Sequence, residues 1–496
     1  MWLLRGAGRD GGVGAAGSRP GRRTGARPRR RLRRRFTGGV AAAAAVALGA
    51  GLLAGCGQGA TSRTGNSITV WSEENLPDRM AATRKLIDVF ERQSGVKVKL
   101  VGVDEGQLPQ LMESAAAAGK LPDVMGGIPL APVWQMYTNG LLDTGATARV
   151  LQALGRTTFN PNALKLTSDG AAPLAVPSDS WQQILVYRKD LFARAHLPVP
   201  DTYAAIVKAA ETLDTGSTSG ISLATDPRDV FTQQSFEDFA VANGCKLVTA
   251  AGKVSLTSPA CEKTFSTYAR LAATGPAGTQ TVDTTRATYQ AGQSAMVVWS
   301  TYLLDSLAGL RDDVLPNCPQ CRSDKTFLSR NSGIVTAIKG PDGAAPAQFG
   351  EISSWTITKT AHTAAAEKFV EFMMSGGYEG WIGMEPEGKI PVRDGTAAEP
   401  RKYVTDWRTM KIGVDTLKPM DQLFPGAFLD RLLAGVGNMQ RWGITQGQGA
   451  LVGATEGSLP VPQAIGSMTG GDGTSAKDAA DQAQRAVSAL RKTLAQ

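Results

Sequence analysis

Histidine is nearly absent from this sequence, and its scarcity removes the commonest routes to catalysis. Only His196 and His362 occur among 496 residues, and both lie where a helix is expected to end or start. A helical H-E-x-x-H metal site needs two histidines four residues apart. The G-x-S-x-G turn of serine hydrolases is also missing, because Gly216–Gly220 has threonine at its centre. Glu73 and Glu74 are adjacent carboxylates, and a pair of carboxylates is the catalytic requirement of glycosidases. Adjacent strand residues, however, point to opposite faces and seldom act at one point. We therefore expect no enzyme, with a secreted hydrolase as the lesser alternative.

Cysteine is scarce as well, and its arrangement argues against a metal site. The chain has five cysteines, and the pair Cys318 and Cys321 has no second C-x-x-C with which to complete a zinc cage. If Cys56 is set aside, four remain, which suits two disulfides in an exported domain. Three connectivities are open, and we favour the local pairs Cys245–Cys261 and Cys318–Cys321. We expect neither a metal ion nor an organic cofactor.

Positive charge is missing from most of the chain. The formal net charge is +9, but the first 55 residues hold twelve arginines and a single acid, Asp10, which leaves 41 basic and 43 acidic residues in the remainder. Binding to nucleic acid needs a basic face on the folded protein. The near-neutral remainder therefore gives no reason to expect a nucleic-acid partner.

The N-terminal arginines precede an uncharged run, Phe36–Gly55, that is rich in alanine and glycine. A charged segment, a short apolar segment and small residues are typical of an export signal, and the run is too weakly hydrophobic for a permanent span. Its end, Leu53-Ala54-Gly55-Cys56, resembles the lipobox of bacterial lipoproteins, and this resemblance implies that Cys56 carries a lipid. We expect a signal peptide over 1–55 and a lipidated cysteine with a flexible tether over 56–66. An ordinary signal with a chance cysteine is the alternative, and the arginine pairs leave general and twin-arginine export open.

The residues after the tether alternate between strand and helix patterns. Ile68–Trp71 and Val96–Leu100 predict strands, and the apolar spacing between Met80 and Gly95 predicts a helix that ends at the glycine. A second helix over Leu108–Ala118 is followed by a third strand that opens at Asp123–Met125. This alternation predicts a parallel α/β sheet, in which ligands bind beyond the carboxyl ends of the strands.

Segments in a fixed order along the chain resemble the extracellular solute-binding proteins of bacterial ABC importers, the family that includes maltose-binding proteins. They cover most of residues 68–495 and read, in order, ITVWSEENLPDRMAATRKLIDVFERQSGVKVKLVGV, AAAAGKLPDVMGG, LAVPSDSWQQILVYRKDLFARAHLPVPDTYAAIVKAAETL, TYQAGQSAMVVWSTYLLD, WTITKTAHTAAAEKFVEFMMS, GKIPVR and AKDAADQAQRAVSALRKTL. Each segment is weakly specific by itself, and their common order carries the resemblance.

The resemblance implies an α/β fold of two lobes, the type II periplasmic-binding-protein-like fold. Each lobe is then a mixed sheet flanked by helices, and hinge strands join the two. Transferred to this chain, lobe I covers 66–176 and 328–380, and lobe II covers 177–327 and 381–496. The Gly, Ser, Thr and Pro content of 445–475 departs from a helical end and indicates an exposed loop.

The ligand class that the resemblance implies is carbohydrate, and the residues offer suitable partners. Aromatic faces stack on sugar rings, and carboxylates, amides and guanidinium groups bind hydroxyls, which are costly to desolvate without a partner. Our candidates at strand ends and pocket segments are Trp71, Glu73, Glu74, Glu105, Trp181, Trp299, Trp355 and Arg393. The alternative is a packing role for each tryptophan and a solvated surface position for each charged residue. Asp123 is at least as well explained by a structural role.

The sequence therefore predicts a lipid-anchored, monomeric binding protein on the outer face of a bacterial membrane. It would capture a carbohydrate between its lobes and deliver it to the permease subunits of an ABC importer. No P-loop is present, so the transport ATPase must be another chain. The same fold binding a polyamine, peptide or polyol phosphate is the main alternative.

Overall fold

The computed structural model describes residues 66–495, so the expected signal peptide, Cys56 and the tether up to residue 65 lie outside the described residues. The strands are β1 (Ser67–Ser72), β2 (Lys97–Gly102), β3 (Val124–Ile128), β4 (Ser168–Asp169), β5 (Ala172–Pro173), β6 (Val176–Arg188), β7 (Met296–Ser300), β8 (Ser332–Val335), β9 (Gly350–Ile357), β10 (Ile390–Pro391), β11 (Lys411–Ile412) and β12 (Lys418–Pro419).

The helices extend from α1 near the start of the described chain to α20 at its end, and in this part of the chain none is long and apolar enough to cross a membrane. They are α1 (Pro77–Ser94), α2 (Leu108–Ala117), α3 (Leu130–Thr138), α4 (Thr144–Leu154), α5 (Pro161–Leu166), α6 (Lys189–Arg194), α7 (Tyr203–Leu213), α8 (Val230–Ala242), α9 (Pro259–Ala272), α10 (Val282–Gln290), α11 (Leu303–Leu307), α12 (Phe327–Asn331), α13 (Thr363–Met373), α14 (Tyr378–Ile382), α15 (Lys402–Trp407), α16 (Met420–Leu423), α17 (Gly426–Asn438), α18 (Gly449–Ser458), α19 (Pro460–Thr469) and α20 (Ala476–Leu494).

The predicted alternation of strands and helices after the tether is confirmed. Strand β1 lies between β2 and β3 and runs parallel to both. Helix α1 starts with Pro77, whose missing N–H is no loss in a first turn, and ends at Gly95, whose φ of 72° suits a glycine cap. Because β1 and β3 are parallel, their carboxyl ends meet at one edge of the sheet.

Strand β6 joins two groups of strands. Its first half, Val176–Gln182, pairs antiparallel with β9 and, at Asp179 and Ser180, with β10. Its second half pairs antiparallel with β7 from Gln183 and with β8 from Leu185. The main sheet runs in the order β10-β6-β9-β3-β1-β2, with β7 and β8 attached only to β6. One continuous strand therefore passes from the first group to the second between residues 182 and 183.

The two cysteine pairs are the local ones that we favoured from the sequence. The sulfur atoms lie at bonding distance, 2.06 Å between Cys245 and Cys261 and 2.04 Å between Cys318 and Cys321. The first pair joins the chain just after α8 to the first turn of α9. Closing a loop of this length stabilises a fold by roughly 3 kcal/mol in the chain-entropy description.

The expectation of an exposed loop over 445–475 is wrong for most of its length, because 449–458 and 460–469 form α18 and α19, and the stretch from 470 to 475 is an exposed connection. The glycines that suggested a loop instead allow α18 to pack closely against α3. A Cβ atom added at Gly449 would lie 2.1 Å from the ring of Trp134, and one added at Gly453 would lie 3.0 Å from the carbonyl oxygen of Ala131. Close approach of two backbones is one of the reasons for glycine inside a regular element.

This packing predicts opposite effects for two glycines of the same helix. We expect Gly449→Ala to lower the free energy of unfolding by about 1–3 kcal/mol, because the new methyl group overlaps Trp134. Gly457 has no atom within 4 Å of an added Cβ, so Gly457→Ala should leave stability unchanged or raise it by up to about 1 kcal/mol. Urea unfolding of both variants measures the difference, and equal effects would contradict the close contact between α18 and α3.

Candidate ligand-binding site

A cavity of about 250 Å³ opens where the two strand groups meet. Its walls come from the chain after β1 and β3, from the middle of β6, from the N-terminal end of α8 and from the end of β7. Four of the candidates chosen from the sequence line it, namely Glu73, Glu74, Glu105 and Trp181. The position beyond the carboxyl ends of β1 and β3 is the one that open α/β sheets use for ligands.

Backbone contacts fix Glu73 and Glu74 at this edge of the sheet. The N–H of Glu73 donates to the carbonyl oxygen of Gly126 at 3.1 Å, and the N–H of Glu74 donates to Ser72 Oγ at 3.2 Å. Gly127, with a φ of 76°, lies against Glu73, where an added Cβ would come within 3.7 Å of the Glu73 Cβ. The strand ends thus direct two successive carboxylates into different surroundings.

An aromatic face is available at the middle of β6. Trp181 is half-buried and lines the cavity, and its ring packs on Phe349 with centroids 5.6 Å apart. Tyr302 and Phe231 also contribute to the walls. Large flat side chains of this kind offer apolar surface with little loss of side-chain freedom.

Three buried polar side chains line the cavity without a protein partner. Gln234, Ser300 and Ser353 are each 6% exposed. Within residues 66–495 no hydrogen bond joins the side chain of any of the three to another protein group. The polar atoms of the three remain accessible from the cavity, so a molecule that displaces water there must pair with them or leave them unpaired, at a cost of about 1–3 kcal/mol each. Such groups on a cavity wall are suited to the hydroxyls of a bound molecule.

Two cations inside the protein pair with the charged carboxylate of Glu74. Arg79 Nη1 donates to Glu74 Oε2 at 2.8 Å, and Lys389 Nζ contacts Glu74 Oε1. Burial raises the pKa of Glu74, but Lys389 and Arg79 outweigh burial and hold that pKa at about 2. Lys389 also lies 3.5 Å from Asp179 Oδ2 and 4.2 Å from the ring centroid of Trp381. Glu74 is therefore charged and already paired.

Arg79 extends this network of ion pairs to Glu385. Its Nη2 atom contacts Glu385, whose other oxygen accepts from Arg311 Nη1 at 3.1 Å. Arg311 Nη1 also lies 3.8 Å from Asp305 Oδ2. Both oxygens of Glu387 are buried without a hydrogen-bond partner in the described chain, and burial beside Asp305 and Glu385 raises the pKa of Glu387 well above its ordinary value. Burial without a cation of its own therefore disfavours the charged form of Glu387.

Glu73 and Glu105 face like charges instead of cations. Burial raises the pKa of Glu73 well above its ordinary value, and Glu105, Glu74 and Glu351 add to the rise. Loss of water also raises the pKa of Glu105 to about 7, with Glu351 and Asp229 adding to it, although Glu105 keeps solvent contact at the cavity mouth. Both carboxyl groups are therefore less acidic than usual, and Glu105, with a pKa of about 7, changes charge near neutral pH.

Another buried cation, Arg441, contacts three acidic side chains. Arg441 Nη1 contacts Glu351, its Nη2 donates to Glu456 Oε1 at 2.5 Å, and its Nε lies 3.4 Å from Glu237 Oε1. One guanidinium thus serves three carboxylates. Burial raises the pKa of Glu456 to about 8 despite the opposing effect of Arg441, and Glu351 and Glu237 add to the rise.

Trp299 and Trp355 do not line this cavity. Trp355 is fully buried, its ring fills the space over Gly126, and it packs against Trp381 with centroids 4.6 Å apart. Trp299 is 8% exposed and packs behind the wall residue Phe231 at 5.9 Å. Both tryptophans pack in the core, so the expected ligand contacts have no support in this geometry.

Trp71 and Arg393 also lie away from the cavity. Arg393 is buried, and its guanidinium donates to Thr158 Oγ1 at 3.0 Å and to the carbonyl oxygen of Leu154 at 2.7 Å. The side chain of Trp71 is half-buried and packs against the core. Backbone carbonyl oxygens accept hydrogen bonds from the guanidinium of Arg393, so this residue connects separate chain segments and does not face solvent.

Asp123 has the structural role that its setting suggested. Its carboxylate accepts from the N–H of Thr69 at 2.7 Å and from the N–H of His362 at 2.7 Å, so it joins the start of the sheet to α13. Oδ1 of Asp123, which accepts from the N–H of His362, also lies 2.7 Å from Nδ1 of the same histidine. Across the described residues, no group of three or more His, Cys, Asp or Glu side chains is arranged to hold a metal ion.

Several wall residues were not identified from the sequence. They are Arg79, Asp229, Phe231, Gln234, Ser300, Tyr302 and Ser353. Asp229 carries a detectable signal, because an aspartate before an apolar helix is a typical N-cap, and its carboxylate accepts from the N–H of Phe231 at 2.9 Å. Arg79 lies on α1 close behind Glu74, and Phe231 and Gln234 share α8 with the cap at Asp229, whereas Ser300, Tyr302 and Ser353 come from distant segments that only the tertiary fold brings to the cavity.

Solved structures with a similar chain path define the class of fold. Maltose-bound MalE3 of T. maritima matches with a TM-score of 0.65 at 18% identity, over 86% of this chain and 99% of its own. A sugar transporter from Arthrobacter chlorophenolicus A6 with bound laminaribiose matches with a TM-score of 0.64 at 16% identity, over 85% and 99%. A solute-binding protein from Agrobacterium radiobacter K84 in complex with ribitol matches with a TM-score of 0.60 at 19% identity, over 86% and 98%. The fold is the two-lobed type II fold of solute-binding proteins.

Sequence relationships identify the family. The family described as bacterial extracellular solute-binding protein matches residues 85–411. YcjN of Escherichia coli (strain K12), described as an ABC transporter periplasmic-binding protein, is 30% identical over 351 residues, which cover 69% of this chain and 76% of YcjN. The chain belongs to the bacterial extracellular solute-binding protein family, and the family expected from the sequence is confirmed.

The position of Lys389 predicts strong coupling to Glu74. Lys389→Met should lower the free energy of unfolding by about 3–5 kcal/mol, because it leaves Glu74 and Asp179 buried without their cation. The double variant Lys389→Met/Glu74→Gln should lose less than the sum of the two single variants, by about 0.5–3 kcal/mol. Urea unfolding of the ligand-free protein measures the cycle, and strictly additive losses would show that Lys389 and Glu74 do not interact.

Proposed function

We propose that the protein captures a carbohydrate in this cavity and delivers it to the permease of an ABC importer. The observation that carries the proposal is the combination of the half-buried Trp181 with the unpaired side chains of Gln234, Ser300 and Ser353. An apolar ring face beside several unpaired donors and acceptors matches the two surfaces of a sugar, its C–H face and its hydroxyls. The similar proteins solved with maltose, laminaribiose and ribitol support a polyhydroxyl ligand.

The proposed mechanism is closure of two lobes on the ligand. Lobe I would consist of 66–176 with 328–380, and lobe II of 177–327 with 381–496. Strand β6 would act as a hinge strand, since its two halves pair with different strand groups. Closure around a small solute changes the outer surface of such a protein, so a permease can distinguish the loaded form from the empty one. No chemical step on the ligand is part of this proposal.

We further propose that the mature chain is a monomer held on the outer face of the membrane through a lipid on Cys56. The small residues before Cys56 and the arginine-rich start support processing as a lipoprotein. Two acyl chains hold a protein stably on a bilayer, because each buried methylene contributes about 0.8 kcal/mol.

Carbohydrate binding should stabilise the protein and depend on Trp181. In a thermal-shift screen of mono- and oligosaccharides, a ligand at about 100 times its Kd adds roughly 2.7 kcal/mol to the free energy of unfolding. Trp181→Ala should weaken binding of that sugar about 10-fold or more, because the ring face is lost. Trp299→Phe, which keeps an aromatic ring behind the cavity wall, should leave the affinity nearly unchanged.

The outcomes of this screen separate the candidate functions. Recovery of the sugar unchanged supports a binding protein, whereas its conversion to product would mean an enzyme. Stabilisation by a peptide or a polyol phosphate, with no response to any sugar, would contradict the carbohydrate proposal while leaving the family unaffected.

The anchor has its own test in cells that process lipoproteins. Cys56→Ser should move the protein from the membrane fraction to the soluble fraction, because the acyl acceptor is gone. Labelling with a palmitate analogue should be lost at the same time. If the variant stays with the membranes, the assignment of Cys56 as the anchor fails.

A further inference from the structure

We infer that the carbohydrate bound in this cavity carries a protonated amine, so that the substrate class is an amino sugar. The inference rests on the proposed function and adds the charge of the ligand to it. It is drawn from the unequal distribution of charged side chains around the cavity. The four carboxylates on its walls are Glu73, Glu74, Glu105 and Asp229, and Arg79 is the one cation among the wall residues.

Arg79 does not compensate the acidic wall. Its guanidinium is bound to Glu74 on one side and to Glu385 on the other, and it lies 5.3 Å from the ring centroid of Tyr302. Both carboxylates are at least 95% buried. Since Glu74 also holds Lys389, neither of the cations nearest the cavity is free to pair with another acid.

Asp229 is compensated by the helix that it caps. Its carboxylate accepts from the N–H of Phe231 at the N-terminus of α8, where the helix dipole favours a negative charge. The acids without compensation are therefore Glu73 and Glu105. Oε1 of Glu73 is buried and has no hydrogen-bond partner among the residues that the structure describes.

The groups that face these two acids are mostly acids themselves. Glu73 is surrounded by Glu105, Glu74, Glu351 and Asp104. The acids near Glu105 are Glu351, Asp229, Asp104 and Glu74. The cations beyond this ring are committed elsewhere, with Arg79 and Lys389 on Glu74 and with Arg441 on Glu351, Glu237 and Glu456.

The acidic wall continues into an adjoining cavity of about 290 Å³. This second cavity shares Glu105, Asp229 and Gln234 with the first and adds Glu456. Its cation, Arg228, has a side chain that is 87% exposed and lies 3.4 Å from Asp226, so its charge is largely hydrated and already has an acid beside it. A ligand that extends from the first cavity into the second meets carboxyl groups along its path.

A neutral sugar and an amino sugar place different demands on this wall. When a neutral sugar excludes water, Glu73 and the covered part of the exposed Glu105 lose hydration without gaining a cation, and burying an unpaired charge is unfavourable. An ammonium group satisfies them directly through charge-assisted hydrogen bonds, which are roughly twice as strong as neutral ones. The remaining hydroxyls of the same ligand are left for Gln234, Ser300 and Ser353.

The protonation of Glu73 and Glu105 supplies a second signature. The raised pKa values favour the protonated forms of both carboxyls in the empty cavity, and Glu105, with a pKa of about 7, is partly protonated near pH 7. An ammonium beside them lowers both pKa values, so binding releases protons to the solution at a pH where the amine of the free ligand is already fully protonated. A neutral sugar that removes water raises the pKa values further and takes protons up.

The test compares ligands that differ only in the amine. Calorimetry is carried out on the wild-type mature protein with D-glucose, with its amino derivatives at carbon 2, 3 or 6, with the β-1,4 dimer of glucosamine, with cellobiose and with spermidine. Titration in two buffers of different ionisation enthalpy counts the protons released. We expect at least one amino sugar to bind about 10- to 100-fold more tightly than its neutral counterpart, with release of protons.

Glutamine variants assign this preference to the two acids. Glu73→Gln and Glu105→Gln should each remove most of the advantage of the amino sugar and reduce the proton release, while the affinity for the neutral counterpart changes little. The matched control is Glu113→Gln, an exposed position on α2 that does not line either cavity. This variant should bind like the wild type, and circular dichroism checks that all three variants are folded.

The outcomes distinguish failure of this inference from failure of the proposed function. Neutral sugars that bind as tightly as their amino derivatives overturn the inference and leave carbohydrate capture standing. Binding of spermidine with no response to any sugar overturns both, since the ligand is then a polyamine. Absence of binding across the whole set also overturns both. An amino sugar that binds tightly and equally to Glu73→Gln and Glu105→Gln overturns the assignment to these acids.

Discussion

The contact of Lys389 with Glu74 and Asp179 is the constraint on which the geometry of the site depends. Glu74 belongs to the chain after β1, Asp179 belongs to the first half of β6, and Lys389 immediately precedes β10. A fully buried ammonium thus holds three separate segments at one point, and Trp381 covers it. Because both carboxylates are buried as well, none of the three groups can return to water alone. The cavity wall beside Glu74 is fixed by this mutual requirement.

Two neighbouring glutamates have opposite properties for the same reason. Glu74 points to buried cations and is a permanent charge with a pKa of about 2, whereas Glu73 points to other acids and has a raised pKa. Successive residues at a strand end face opposite sides, so one serves the interior and the next serves the cavity. Within a single dipeptide, Glu74 therefore holds chain segments together, whereas Glu73 is left to the cavity, where we propose that it meets the ligand.

Local patterns were sufficient for the early elements and for part of the site. The helix ending at Gly95 and the parallel strands around it follow from apolar spacing, and the strand-end rule correctly brought Glu73, Glu74 and Glu105 to the cavity. Trp355 and Arg393 show the limit of this reasoning, because a buried neighbour, Gly126 or the carbonyl oxygen of Leu154, decides where such large side chains lie. The glycines of α18 led to the wrong prediction of a loop for a related reason, since composition does not reveal that α3 packs against this helix. Ser300, Tyr302 and Lys389 come from distant segments, and no local signal connects them.

The path of β6 has a mechanical consequence. Trp181 lies two residues before Gln183, where the strand changes partners, and the strand remains unbroken across this point. In the proposed mechanism, a ligand stacked on the Trp181 ring therefore bears on the backbone segment at which β6 passes from one strand group to the other. One stretch of polypeptide would then both contact the ligand and transmit its presence to the two lobes.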